Sequence, residues 1–197
     1  MVVFGITGGS GSGKTSVSKM LEKLGVHIID TDVIAHEIVE PNSDCLNELV
    51  DYFGDSILND DKTLNRKKLA SIAFSDKQKT EALSNITHKY IKAEVVKDIN
   101  TTDAELVGID GAVIIGSNVE PLCEFIVSVI ADKQSRITRI KTRDNITDEQ
   151  AIQRINAQND DEFYKENSMY IIYNNGDTQL ESDVVGLFNK IKGNSFE

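Results

Sequence analysis

The sequence predicts an α/β fold: a parallel β-sheet core flanked by helices, with an all-helical insert and a helical lid. Three observations predict it. Residues Gly8-Gly9-Ser10-Gly11-Ser12-Gly13-Lys14-Thr15 carry the spacing G-x-x-x-x-G-K-[ST] between an apolar run and a helical pattern. Short apolar runs, each fit for a buried strand, recur along the chain and alternate with helical spacing. Between about residues 42 and 100 that alternation stops, and helical spacing prevails.

The first run, Val2-Val3-Phe4-Gly5-Ile6, is a strand that feeds the glycine loop, and Val17, Met20, Leu21 and Leu24 then share one helical face. Between strand and helix, such glycines let backbone N–H groups face phosphate oxygens, and the helix N-terminus adds partial positive charge. Val26 to Asp30 is a second strand. Asp32 begins a helix over Val33 to Val39 that Pro41 ends. In the insert, helical spacing links Leu46, Leu49, Val50 and Phe53, then Leu69, Ile72 and Ala73, then Leu83, Ile86, Tyr90 and Ile91. Glu105 to Asp110 and Phe125 to Ile130 are the third and fourth strands. Gln134 to Arg143 is a cationic helix. Thr147 caps the next one, with Gln150 in the capping-box position, and it runs to about Asn159. A polar stretch, Asn159 to Asn167, follows. Met169 to Tyr173 is the last strand, Asn174-Asn175-Gly176 its turn, and Leu180 to Ile191 the closing helix. The expected division is a nucleotide-binding core at 1–41, 104–140 and 168–197, a helical acceptor domain at 42–103 and a lid at 141–167.

The chain has 197 residues, enough for one domain with an insert or two small lobes. Lys and Arg number 21 against 32 Asp and Glu, a net charge of −11. That balance argues against nucleic-acid binding, which needs a basic footprint. A polyanionic ligand must then be held by local cations and metal. The opening strand runs straight into the phosphate loop, with no signal peptide, and the longest later apolar run, Phe125 to Ala131, is far short of a membrane span. Cys45 and Cys123 lack CxxC spacing, as suits a reducing compartment. The expectation is a cytoplasmic protein, away from membranes and nucleic acid, with a monomer favoured.

Phosphoryl transfer needs a phosphate cradle, Mg²⁺, a group to orient or deprotonate the acceptor, and cations over the transferring phosphoryl group. The loop supplies the cradle: Gly11, Ser12, Gly13, Lys14, Thr15 and Ser16 around the ATP phosphates, Lys14 reaching the terminal ones, Thr15 offering its hydroxyl to Mg²⁺. Asp30 and Asp32 are acceptor-side candidates; spaced by two, they are expected on the same side of a strand end. The bland alternative is a helix cap and a solvated turn carboxylate. Arg139 and Arg143 lie one helical turn apart and face ATP as lid cations, unless they form a solvated basic face. Arg154 and Gln158 repeat that spacing and that ambiguity. Asp110 is either an acid that holds Mg²⁺ through water or a strand-ending turn residue before Gly111. His27, His36 and His88 show no metal-ligand spacing.

Most of the chain resembles the dephospho-CoA kinase family. Gly5-Ile6-Thr7 leading into the loop resembles its opening. Leu24 to Asp32 resembles the stretch ending in Asp-Ala-Asp, continued by Ile34 to Pro41. Phe53-Gly54, Leu64 to Leu69 and Phe74-Ser75-Asp76 resemble its helical domain, Arg139 to Asp144 its lid, Arg154 to Gln158 its Arg-x-x-x-Gln, and Ile172 to Gly176 its closing strand and turn. The resemblance implies a P-loop kinase that moves the γ-phosphoryl group of ATP to the ribose 3′-hydroxyl of dephospho-CoA, with Mg²⁺, in the last step of coenzyme A synthesis. It implies Asp32 as base, with Lys14 and Arg143 catalytic, Arg139 and Asn174 at ATP, and Asp30, Arg66, His88 and Arg154 toward the acceptor. The chain departs from the family pattern at four places. His36 stands for an Arg and His88-Lys89 for His-Pro. Asp110 to Ser117 replaces a Pro-Leu-Leu-x-Glu run, and Ser168-Met169 an Ala-Asp pair. Two alternatives stand beside this: another P-loop kinase acting on a nucleoside, nucleotide or sugar, and a nucleotide-binding regulator without turnover.

Overall fold

Strands β1 (Val2–Thr7), β2 (His27–Asp30), β3 (Leu106–Asp110), β4 (Phe125–Ile130) and β5 (Tyr170–Tyr173) form one parallel sheet in the order β2-β3-β1-β4-β5. This computed structural model describes residues 1–176 and 179–193. β3 and β4 are buried at every position, which is why they read as unbroken apolar runs rather than alternating ones. β1 lies between β3 and β4, so the chain crosses to one side of it and then to the other. In open α/β sheets that reversal marks the ligand crevice, beyond the C-terminal strand ends. The register brings the relevant ends level: Ile6 pairs with Asp110, and Asp30 also pairs with Asp110.

The helices are α1 (Lys14–Lys23), α2 (Thr31–Glu37), α3 (Asp44–Phe53), α4 (Arg66–Ala73), α5 (Lys77–Thr101), α6 (Lys133–Asp144), α7 (Asp148–Asn156), α8 (Asp161–Glu166) and α9 (Gln179–Lys192). Val17 and Leu21 of α1 are fully buried, one turn apart, each contributing about 1.5–3 kcal/mol by burial. α9 adds Leu180, Val184, Leu187 and Ile191 to the same core, with Phe4, Ile6, Val127 and Val129 of the sheet. Phe4 and Phe125 stack with ring centres 5.4 Å apart.

Local chemistry sets the helix ends. Asp132 caps α6 by accepting from the Ser135 amide at 2.9 Å, and Asn145 ends it in a left-handed conformation. The capping box of α7 forms as expected: Gln150 Oε1 accepts from the Thr147 amide at 3.0 Å and Thr147 Oγ1 from the Gln150 amide at 3.3 Å. That helix stops at Asn156, short of Asn159, and α8 occupies the polar stretch beyond. Asp160 caps α8 at the Phe163 amide, 2.9 Å away. Only Tyr164 of its six residues is buried, too little to print a periodicity on the sequence.

The chain divides into two compact units, Met1–Asp30 with Thr101–Glu197, and Thr31–Asn100. The second is helical and takes in α2, which lies outside the 42–103 interval. Ser43 and Asn65 cap α3 and α4 at the Leu46 and Lys68 amides. Cys45, Leu46, Leu49, Leu69 and Ala73 are buried. Among the described residues no helix is long and apolar enough to cross a membrane.

Candidate active site

The loop between β1 and α1 is shaped by glycine where no other residue fits. Gly13 has φ 89° and caps α1, and a Cβ there would run into the amide of Asn174. Gly8 lies so close to the Val129 carbonyl that a side chain would collide with it. The Ser12 amide bonds back to the Gly9 carbonyl at 3.0 Å, closing the turn. Ser12 Oγ is buried without a hydrogen-bond partner. An orphaned buried hydroxyl is costly unless a ligand oxygen satisfies it, as a bound phosphate would.

Two of the expected ATP-side residues brace this loop. Arg139, on α6, donates through Nη1 to the carbonyls of Gly11 and Ser12, both at 3.1 Å. Its Nη2 donates to the Asn174 carbonyl at 2.8 Å and to Asn174 Oδ1 at 3.1 Å. Asn174, 5% exposed, donates in turn to the Ser12 carbonyl at 2.9 Å. Sequence alone missed Arg136 and the place of Gln158: both contact Ser10 of the loop. Arg136 sits one residue before a buried position of the same cationic helix, and charge gave it no distinction from its neighbours.

Lys14 forms an ion pair with Asp110, whose side chain is 3% exposed. Asp110 does end β3 before Gly111, and its carboxylate is buried there against the loop lysine. Asp30 stands beside it in register on β2. The expected alternation of Asp30 and Asp32 along a strand does not hold. β2 stops at Asp30 and α2 begins at Thr31, so Asp32 lies in the first turn of a helix, with its side chain exposed. The helix begins one residue ahead of the expected Asp32 and follows the strand directly.

Thr15 is exposed on the first turn of α1. Among the described residues no group of three or more His, Cys, Asp or Glu gathers to hold a metal. Mg²⁺ is ordinarily held by one or two protein oxygens together with substrate phosphates. A loop hydroxyl and a buried carboxylate beside the loop fit that pattern.

Arg143 and Arg154 converge on one carboxylate. Arg143 Nε and Nη2 donate to the two oxygens of Asp144 at 2.7 and 2.9 Å, and Arg154 pairs with the same side chain. These bonds hold the Asp144 carboxyl below its ordinary range and raise the Arg143 guanidinium, the mutual hydrogen bond being the largest cause for each. Arg139 and Arg143 thus turn to different partners despite their one-turn spacing. Ile137, Ile140, Ala151 and Ile155 form a small separate core beneath them.

In the helical unit, Arg66 Nη2 meets His36 Nδ1 at 2.9 Å. Arg66 borders a cleft of about 360 Å³ that His88, Thr87, Leu69, Phe74 and Ile91 also line. Its wall is mainly apolar. Nearby Lys89 and Tyr90 both bond Glu48, at 2.6 and 2.7 Å.

A family model described as dephospho-CoA kinase matches residues 2–179. A dephospho-CoA kinase of Listeria monocytogenes is 39% identical over 157 residues, 78% of this chain and 78% of that one. One of Lactobacillus johnsonii is 34% identical over 175 residues, 87% and 88% of the two chains. The solved dephospho-CoA kinase from Campylobacter jejuni superposes with a TM-score of 0.69 at 26% identity, over 98% of each chain. Shikimate kinase from Acinetobacter baumannii gives a TM-score of 0.55 at 17% identity, over 100% of this chain and 96% of that one, a likeness of fold alone.

Proposed function

The chain belongs to the dephospho-CoA kinase family and phosphorylates dephospho-CoA to coenzyme A, and we propose how its residues divide that work. The match over residues 2–179, with the phosphate loop complete inside it, carries the assignment. The other acceptors and the inactive regulator are not favoured.

The loop amides and Lys14 hold the β- and γ-phosphates of ATP. Lys14 exchanges its resting partner Asp110 for phosphate oxygens; the ion pair supports this, because it positions the ammonium beside the loop. Asp32 accepts the proton of the ribose 3′-hydroxyl as that oxygen bonds to the γ-phosphorus and the bond to the β-phosphate oxygen breaks, releasing ADP. A sugar hydroxyl needs such a carboxylate at neutral pH. Mg²⁺ would be held by the Thr15 hydroxyl, with Asp110 as a second oxygen donor, and would neutralise phosphate charge. Arg139 braces the loop for the nucleotide. Arg143, with Arg154, belongs to a lid at 141–167 that closes over ATP and excludes water.

The helical unit takes the acceptor: Arg66 and His88 border a largely apolar cleft, suited to a ligand with one anionic end and a long neutral arm. Asp30 orients the strand end beside it in sequence. The acidic net charge and short apolar runs support work in the cytoplasm without nucleic acid.

The deciding experiment is product analysis with ATP and, in turn, dephospho-CoA, adenosine, AMP and shikimate. Formation of 3′-phosphorylated coenzyme A from the first alone is expected. Preference for any other acceptor overturns the assignment.

A further inference from the structure

Arg136 stands on α6 at 5% exposure, and its head group serves the phosphate loop. Its Nε donates to the Ser10 carbonyl at 2.9 Å. Its Nη2 donates to Gln158 Oε1 at 3.4 Å, and that oxygen also accepts from the Ser10 amide at 2.7 Å. Gln158 Nε2 donates back to Ser10 Oγ at 3.2 Å. The amide, carbonyl and hydroxyl of Ser10 are all held, by one residue of α6 and one just beyond α7. Asp161, at the start of α8, lies 3.6 Å from Nη1 and balances the charge. The fit is close on both sides of Ser10. A Cβ at Gly11 would stand 2.7 Å from the Arg136 carbonyl oxygen, and one at Gly9 would collide with Nη2.

Burying a guanidinium costs desolvation that is offset only when its N–H groups find partners. Here those partners are the loop and the glutamine that grips the loop. The planar fork donates in two directions at once, which a lysine ammonium on a flexible stem does not reproduce. We propose that Arg136 and Gln158 form a positioning clamp that presets the tip of the phosphate loop for the nucleotide, and that ties the junction of α7 and α8 to the loop. Neither residue touches phosphate. Both act through Ser10, by removing the loop's freedom before ATP arrives, so that less ordering is left to oppose binding.

The proposal rests on the kinase reading only in taking ATP as the loop's ligand. The test compares wild type with Arg136→Met, Arg136→Lys, Gln158→Met and the Arg136→Met/Gln158→Met double variant. ATP affinity is measured by calorimetry without acceptor, and KM for each substrate, kcat and Tm are measured alongside. Arg136→Met is expected to weaken ATP binding about tenfold or more, the loss of charge-assisted hydrogen bonds, with KM for dephospho-CoA unchanged. Gln158→Met should act in the same direction. The double variant should lose less than the product of the single losses, since both act on one residue. Arg136→Lys should recover only part of the affinity. Lower Tm with unchanged ATP affinity would make the role structural and overturn the clamp. Multiplying single effects, or full rescue by lysine, would overturn it too. If Arg136→Met does not fold, the lysine and Gln158 variants carry the test. Because affinity is read without acceptor, a wild type that ignores dephospho-CoA overturns the function above and leaves this result standing.

Discussion

At the phosphate loop, Arg139, Asn174 and Lys14 already have protein partners, and three of their bonds run to the loop's own backbone. In the helical unit, Arg66 bonds His36 at an exposed edge, and the cleft that Arg66 borders is mostly apolar. The first region is organised before any ligand binds. The second offers shape, apolar surface and a few polar groups at the rim. Nucleotide recognition therefore rests on preset geometry, which is sensitive to single bonds. Acceptor recognition rests on burial and rim charges, which degrade more gradually.

The contrast breaks most visibly if a residue of the helical unit controls rate without controlling affinity. Asp32→Asn is nearly isosteric but takes no proton. It should lower turnover roughly 10²–10⁴-fold, the contribution of a positioned base, and leave ATP binding intact by calorimetry. Asp30→Asn should cost less. A fully active Asp32→Asn enzyme would remove Asp32 as the base.

Lys14→Ala comes next, with a loss on the order of 10²–10³ in turnover from one missing electrostatic contact. It also strips a buried carboxylate, Asp110, of its ion-pair partner, so Tm should fall as well. Adding Asp110→Asn should restore Tm and leave turnover low. Restored turnover in that double variant would show that Lys14 serves the fold and not the phosphates.

All five strands of the sheet were legible in sequence, β1, β3 and β4 because buried parallel strands print as continuous apolar runs, β2 and β5 because short apolar runs end there at turn residues. Gly13, Lys14 and Thr15 were legible because the loop motif encodes backbone geometry directly. The start of α2 was legible to within one residue, Asp32 expected and Thr31 observed, but that this leaves no strand for Asp30 and Asp32 to alternate on was not. Nor was the split of Arg139 and Arg143 between the loop and Asp144: helical spacing places two side chains on one face, and their long stems then choose partners by local acceptors. Arg136 carried no signal at all, because its burial comes from tertiary packing.

Arg66→Ala sharpens the acceptor side of the comparison. KM for dephospho-CoA should rise about tenfold, the size of one lost charge-assisted contact, while ATP affinity stays at the wild-type value. Weaker ATP binding in this variant would erase the distinction between the two regions.

The smallest effect concerns Asp144, where Arg143 and Arg154 meet. Hydrogen bonding from Arg143 is the main cause that lowers the Asp144 carboxyl from its ordinary 3.8. A carboxyl depressed in the folded state binds its proton less readily there than in the unfolded chain. Its contribution to stability is thus fully present above about pH 4 and is lost as pH falls through the lower folded value. Asp144→Asn lacks that contribution at every pH. The Tm gap between wild type and the variant should accordingly be constant from neutral pH down to about pH 4 and close below it. It should also narrow at high salt, because both arginines are half exposed or more and their charges are screened. Amide exchange over 141–156 should follow the same curve, faster in the variant near neutrality and equal in acid. A gap that persists unchanged well below pH 3.8 would mean that Asp144 acts through packing, and that the arginines at this junction are not held by its charge.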